Sequence, residues 1–160
     1  MFELSHQIRH WVKGRLQNAQ ATWLNPESLL HGLKWVQSEP GSVRVQVAPH
    51  WLGWAPSRYT GSLILASELA VEEALRLEDR MNGISVLFTG SHSEFLKAQR
   101  GPCEIRFRLT SDEMEQLRLQ VLKEKTLSHE FILTLWSQDE AQLGSVTLQV
   151  RLQLQPYLSA

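Results

Sequence analysis

At 160 residues the chain is long enough for one domain with a single proper core. Sixteen basic residues stand against 17 acidic ones, a net charge of -1 without long runs of one sign, which argues against a nucleic-acid binder because such affinity needs a concentrated basic surface. Apolar runs are too short to span a membrane, the amino terminus MFELSHQIRHWVKG lacks the apolar block of a signal peptide, and a lone Cys103 agrees with a reducing compartment; the expectation is a cytoplasmic protein.

The chain opens with Ile8, Trp11, Val12, Leu16 and Ala19 at helical spacing behind Ser5 as a cap, an amphipathic helix expected to lie against the outside of the core. Leu24, Asn25 and Pro26 break the pattern, and a short helix or turn follows around Glu27 to His31. Val43, Val45 and Val47 alternate with Arg44 and Gln46, the signature of a half-buried strand, between a Pro40-Gly41 turn and Pro49. A loop from His50 to Tyr59 carries Trp51, Gly53, Trp54 and Pro56, and two tryptophans in such a loop imply packing over something apolar.

The stretch Gly61 to Asp79, GSLILASELAVEEALRLED, reads as a helix about 28 Å long at the usual rise. Its first half is apolar nearly all round, through Leu63, Ile64, Leu65, Ala66, Leu69, Ala70 and Val71, which predicts burial on every side. Glu68 is the one ionisable residue there, and carboxylates are seldom buried unless they are paired or at work.

Beyond an Asn82-Gly83 turn the pattern is mostly extended. Ile84, Val86 and Phe88 alternate, Gly90 marks a bulge, and the line resumes through His92, Glu94 and Leu96 until Arg100, Gly101 and Pro102 turn it back. Cys103, Ile105, Phe107 and Leu109 form the next strand. Thr110 with Glu113 is a capping box for a helix whose Met114, Leu117 and Val121 share a face. Phe131, Leu133 and Leu135 lead to a final strand of Val146, Leu148, Val150, Leu152 and Leu154, with Gly144 expected at the turn between the two. Strands in succession beside one long helix imply an α+β domain with an antiparallel sheet covering that helix; dimerisation is a common way to cover the remaining edges.

The order of elements, the helix entered through Thr60, Gly61 and Ser62, and the segment Glu94-Phe95-Leu96-Lys97-Ala98-Gln99-Arg100-Gly101 resemble the hotdog fold, in particular a thioesterase-like branch related to phenylacetate-pathway thioesterases. The likeness covers roughly Trp35 to Leu154. It implies a hotdog domain, a homodimer with sheets joined edge to edge, and acyl-thioester sites between subunits; the amino-terminal helical pattern falls outside the likeness, so the expectation is a single hotdog domain over 1–160 with a helical extension over about 1–32. Coenzyme A enters as part of the substrate, with no cofactor beyond it. The family's helix acid falls on Glu68, and its carbonyl-polarising amides fall on Gly61 and Ser62. The sequence departs from the pattern at Thr60, where many relatives carry a second glycine, and at Ala98, where they carry proline.

These residues have other readings. Glu68 is either a base or nucleophile, or a carboxylate satisfied by Arg76 or by a partner subunit. His92 either orients a water or the thioester, or is an exposed strand histidine. Lys97, Arg100, Arg106 and Arg108 either hold the phosphates of coenzyme A or are solvated. His6 and His10 have a spacing for sharing a metal but lack a third ligand, so no metal is expected. Cys103 lies on an apolar strand face and belongs to the core. Trp54 and Tyr59 are candidates to wall an acyl pocket. The functional expectation is an acyl-coenzyme A thioesterase; the alternative is a non-catalytic hotdog protein that binds an acyl group or a protein partner.

Overall fold

The computed structural model describes residues 32–48, 56–97 and 101–155, with the backbone alone at 56–59. In chain order these form β1 (Leu33–Glu39), β2 (Ser42–Val47), α1 (Pro56–Arg76), a 3-10 turn (Asp79–Met81), β3 (Ile84–Phe95), β4 (Cys103–Arg108), α2 (Ser111–Glu124), β5 (Thr126–Ser137) and β6 (Gln142–Leu154). Six strands of the described residues make one antiparallel sheet in the order β1-β2-β4-β5-β6-β3. It is the α+β, hotdog-like arrangement of one sheet against one long helix that the strand and helix patterns imply. The expected amino-terminal helix and the turn near Glu27 to His31 lie outside the described residues.

Alternation decides which side of the sheet is inner. Val43, Val45 and Val47 pair with Phe107, Ile105 and Cys103, and all six are buried on the face that receives α1. Leu133 and Leu135 of β5 and Val146, Leu148, Val150 and Leu152 of β6 continue that surface. Phe131 meets Phe107 edge-on with ring centroids 5.4 Å apart, a favoured aromatic geometry. Into this layer α1 buries Leu63, Ala66, Ala70, Val71, Ala74 and Leu75, where the small side chains at 66, 70 and 74 let helix and sheet approach closely.

Strand β1 has no counterpart among the expected elements. Its alternation is legible only at Leu33 and Trp35, because a bulge between Trp35 and Gln37 shifts the phase and leaves Val36 exposed. A tight turn with Gly41 at φ +69 joins it to β2, and a Cβ there would come within 2.5 Å of the Leu109 carbonyl oxygen. Ser38 Oγ donates to Glu73 Oε1 at 2.9 Å, which ties this edge strand to α1.

The β3 bulge predicted at Gly90 is present, between Phe88 and Gly90, but it inverts the faces beyond it. Ser91, Ser93 and Phe95 pair with Leu148, Val146 and Gly144, whereas His92 and Glu94 pair with Thr147 and Ser145. The expected continuation of one line through His92, Glu94 and Leu96 is therefore corrected: the extra residue moves those side chains to the outer face. Gly144 is also corrected. It lies inside β6 opposite Leu135 and Phe95, and the β5–β6 turn falls at residues 138–141, closed by Ser137 N–H donating to the Ala141 carbonyl at 2.8 Å. A Cβ on Gly144 would run into the Glu94 carbonyl oxygen, so close strand approach, and not turn geometry, calls for glycine.

The capping box of α2 forms as expected. Thr110 Oγ1 accepts from the Glu113 N–H at 3.3 Å, and the Glu113 carboxylate accepts from the Thr110 N–H at 2.7 Å. Met114, Leu117 and Val121 are buried, closing the end of the core, and Cys103 is buried within it.

Two expected outcomes follow from this packing. Ala70→Asp places an unpaired charge at a fully buried position and is expected to destabilise by about 3–5 kcal/mol, visible as a large drop in melting temperature. Gly144→Ala must push β3 from β6 and is expected to cost about 1–3 kcal/mol; a melt unchanged from the parent protein would contradict the β3–β6 register.

Candidate functional site

Helix α1 has two unlike sides. Residues at i, i+1, i+4, i+5 and i+8 share a broad stripe of an α-helix, and here that stripe is Ile64, Leu65, Glu68, Leu69 and Glu72. Ile64, Leu65, Glu68 and Leu69 are half-buried and Glu72 is exposed, while the opposite side is sealed in the core. Burial on every side was the expectation from the apolar first half. The structure corrects it: one sheet covers one side of a helix, so the second apolar stripe faces away from this chain's core.

Glu68 sits in the middle of that stripe. Burial among apolar neighbours disfavours its charged form and holds its pKa above the ordinary 4.5, and the Glu72 carboxylate one turn on adds repulsion in the same direction. Burial raises the pKa of Glu72 as well. Arg76 does not neutralise Glu68. Its guanidinium donates to the two carboxylate oxygens of Glu73 at 2.8 and 2.9 Å, and Ser38 holds the same carboxylate from β1. Three residues separate Arg76 from Glu73 and eight separate it from Glu68, so the shorter pairing prevails. Among the described residues Glu68 has no ion-pair partner.

Gly61 stands seven residues before Glu68, two turns along the same side. It is exposed, and a Cβ there would meet nothing within 4 Å. Ser62 is buried at the adjoining edge. Both were expected at the helix start, with amides free to polarise a carbonyl. The helix instead begins at Pro56, five residues earlier, so the amides of Gly61 and Ser62 fall within its own i to i−4 ladder. Within the helix the N–H groups without an intrahelical acceptor belong to residues 57 and 58, since Pro56 has none to offer.

The other expected site residues are dispersed. His92 is exposed on the outer face of β3, on the side of the sheet away from α1, so it does not join Glu68 within this chain. Lys97 is exposed just past the end of β3. Trp54 and Arg100 lie outside the described residues, and of Tyr59 only the backbone, in the first turn of α1, is described. Arg106 is engaged elsewhere on the outer face. It pairs with Glu104 and Glu140 at 2.6 Å each and stacks 4.7 Å over the Trp136 ring, while Arg44 shares Glu104 at 2.7 Å. Among the described residues no group of three or more His, Cys, Asp or Glu side chains could hold a metal ion, and His6 and His10 lie outside them. No described helix is long and apolar enough to cross a membrane. Glu72 was not singled out from sequence; its signal was the four-residue spacing from Glu68.

No protein-family model matches the sequence, and no curated protein matches it. Solved structures do. A Pseudomonas aeruginosa protein of unknown function described as a probable thioesterase superposes with a TM-score of 0.74 at 16% identity, over 88% of this chain and 95% of that one. A mutant thioesterase from the same organism gives 0.60 at 14% identity, covering 88% and 92%. The phenylacetic acid degradation protein PaaI of Thermus thermophilus gives 0.54 at 13% identity, covering 79% and 98%. At such identities what this chain shares with these structures is the fold, a hotdog-like sheet laid against one long helix.

Proposed function

We propose that this chain hydrolyses an acyl thioester of coenzyme A, in a site built around Glu68 of α1 and completed by a second copy of the chain. The observation that carries the reading is a half-buried carboxylate, on an otherwise apolar stripe, with a raised pKa and no cation partner among the described residues. Such a group suits proton transfer better than structure, because an unpaired acid against apolar surface costs stability. The fold shared with structures described as thioesterases supports the same class of chemistry.

In this mechanism the Glu68 carboxylate takes a proton from water as the oxygen attacks the thioester carbonyl. The C–O bond forms, the C–S bond breaks, and the departing thiolate takes the proton back from Glu68 to leave as the thiol, so the carboxylate is regenerated as the acid product is released. Donors for the carbonyl oxygen come from the first turn of α1, at residues 57 and 58, with Gly61 leaving the approach open two turns from Glu68. Trp54 and Tyr59 wall the acyl or pantetheine arm, and Lys97 and Arg100 meet the phosphates; His92 has no part in a site on the α1 side. Strand β3, at the edge of the sheet formed by the described residues, joins its equivalent in a homodimer. The protein is cytoplasmic, its 160 residues form one hotdog domain with a helical extension over about 1–32, and its relatives are those of the phenylacetate-related branch.

A second reading has an observation of its own. Gly61 and Ser62 sit inside the helical ladder, which removes the two amides the resemblance assigned to catalysis. A hotdog protein that binds an acyl group or a protein partner without turnover needs no such donors.

Glu68→Gln separates the readings. With a panel of acyl-coenzyme A substrates, hydrolysis is expected to fall by about 10²-fold or more, in keeping with the loss of a general base, while a non-hydrolysable analogue still binds. Binding without hydrolysis in the parent protein favours the second reading.

The pH dependence has a definite sign. Activity is expected to rise along an acid limb centred above 4.5, as Glu68 ionises, and Glu72→Gln is expected to move that limb to lower pH by removing a neighbouring charge. Because the folded state raises this pKa, it binds more protons than the unfolded chain between the unfolded and folded values. Stability is therefore greatest below the unfolded value and falls as pH rises through the folded one. Glu68→Gln should remove that fall and melt higher than the parent at neutral pH, a gain in stability accompanied by loss of turnover. A lower melting temperature for the variant would show that the carboxylate is structurally satisfied.

A further inference from the structure

Asn82 and Gly83 turn the chain between the 3-10 turn and β3, and both are exposed. Asn82 at φ -57 and ψ 133, followed by Gly83 at φ +83, has the dihedral angles of a type II turn, whose third residue needs a positive φ. Nothing lies within 4 Å of where a Gly83 Cβ would stand. Among the described residues neither the Asn82 carboxamide, nor its carbonyl, nor the Gly83 N–H takes part in a hydrogen bond. The peptide group joining the two residues is thus held at neither end. Its surroundings are fixed: Met81 is buried and donates its N–H to the Glu78 carbonyl at 2.9 Å, and the Gly83 carbonyl accepts from the Gln155 N–H at 2.7 Å, where the β3–β6 ladder starts with Ile84 opposite Leu154.

Such a junction is chemically labile. When its peptide plane rotates, the Gly83 nitrogen reaches the Asn82 side chain and attacks the carboxamide carbon. The new C–N bond closes a cyclic imide, the bond to the carboxamide nitrogen breaks, and the proton from the Gly83 nitrogen goes with the leaving group, which departs as ammonia. Water then opens the imide. Opening at the side-chain carbonyl gives aspartate; opening at the backbone carbonyl gives isoaspartate, in which the main chain runs through Cβ and Cγ and is one carbon longer. At ψ 133 the Gly83 nitrogen does not face the side chain, so the rotation is required. It breaks no hydrogen bond, because the Gly83 carbonyl held by Gln155 belongs to the next peptide, and a residue without Cβ accepts φ of either sign. The other two asparagines lack this setting: Asn18 precedes Ala19, and Asn25 precedes Pro26, which has no N–H to lose.

We propose that Asn82 is a site of spontaneous deamidation in the folded protein, and that its isoaspartyl product releases the end of the β3–β6 ladder. The added carbon falls between two anchors, the buried Met81 and the Gly83 carbonyl, and both cannot keep their places. The bond from Gln155 is the one that yields, since it lies at the end of the ladder while Met81 is packed in the core. Neither Glu68 nor thioester hydrolysis enters this inference.

Ageing the full chain at body temperature in mildly alkaline buffer tests it. Trypsin cuts after Arg80 and Lys97 to give peptide 81–97, which holds Asn82, and after Arg15 and Lys34 to give peptide 16–34, which holds both other asparagines. Peptide 81–97 is expected to gain the mass of an amide turned into an acid about tenfold faster than peptide 16–34, as two products separable by chromatography with isoaspartate in excess. In the isoaspartyl protein the amides of residues 83–86 and 153–155 are expected to exchange with solvent faster than in the parent. A fresh Asn82→Asp variant, which carries the charge on an ordinary backbone, is expected to keep the parent's protection. Equal rates in the two peptides overturn the site, and so does a reaction that occurs only in urea, because the fold then holds the peptide plane still. Unchanged exchange in the isoaspartyl protein, or the same increase in Asn82→Asp, overturns the release of the ladder.

Discussion

The fold depends on the burial of one side of α1 against the inner face of the sheet. Removing apolar area from water at about 25 cal/mol per Å² is the dominant favourable contribution available to a domain of this size, and here it is concentrated where Leu63, Ala66, Ala70, Val71 and Ala74 meet the valines of β2 and Ile105 of β4. Other features serve that contact. The alanines shorten the helix-to-sheet distance, the bulges in β1 and β3 adjust strand phase, α2 closes the end of the core, and Ser38 pins the edge strand to the helix through Glu73.

The same constraint creates the site. A sheet can cover only one side of a helix, so a helix apolar on both sides is left with a second stripe, and Glu68 and Glu72 mark it. Raised carboxylate pKa values follow from partial burial and, for Glu68, from repulsion by Glu72. Arg76, two turns on, is held by Glu73, whose carboxylate also accepts from Ser38. The outer face of the sheet follows the opposite logic: Arg44, Glu104, Arg106 and Glu140 neutralise one another, and the Arg106 guanidinium sits over the Trp136 ring. Among the described residues the outer face is charge-neutralised, whereas the carboxylates of the α1 stripe have no ion-pair partner.

Much of this was legible from residue pattern alone. Strict alternation identified β2, β4, β5 and β6, because an inner face of period two against solvent leaves little ambiguity. Thr110 and Glu113 located the start of α2, since the reciprocal cap is written in two residues three apart. Glu68 stood out as a lone acid in an apolar helix. Two glycines show where pattern has a limit: Gly90 predicts a bulge and sits at one, whereas Gly144 predicts a turn but serves a close approach between β3 and β6. Local sequence does not reveal which of a glycine's uses is in play, for the approaching backbone belongs to a distant strand.

The sequence by itself determined the α+β class, the central helix, the identity of its acid and the apolar faces of most strands, since these rest on periodicity within short segments. Tertiary structure decided the rest. It set the helix start at Pro56, and so took Gly61 and Ser62 out of the helix terminus; it committed Arg76 to Glu73 instead of Glu68; and through one extra residue in β3 it sent His92 to the outer face. Each of these outcomes turns on which groups from remote parts of the chain come within reach of one another, and pairing and register are settled only when the sheet closes on the helix.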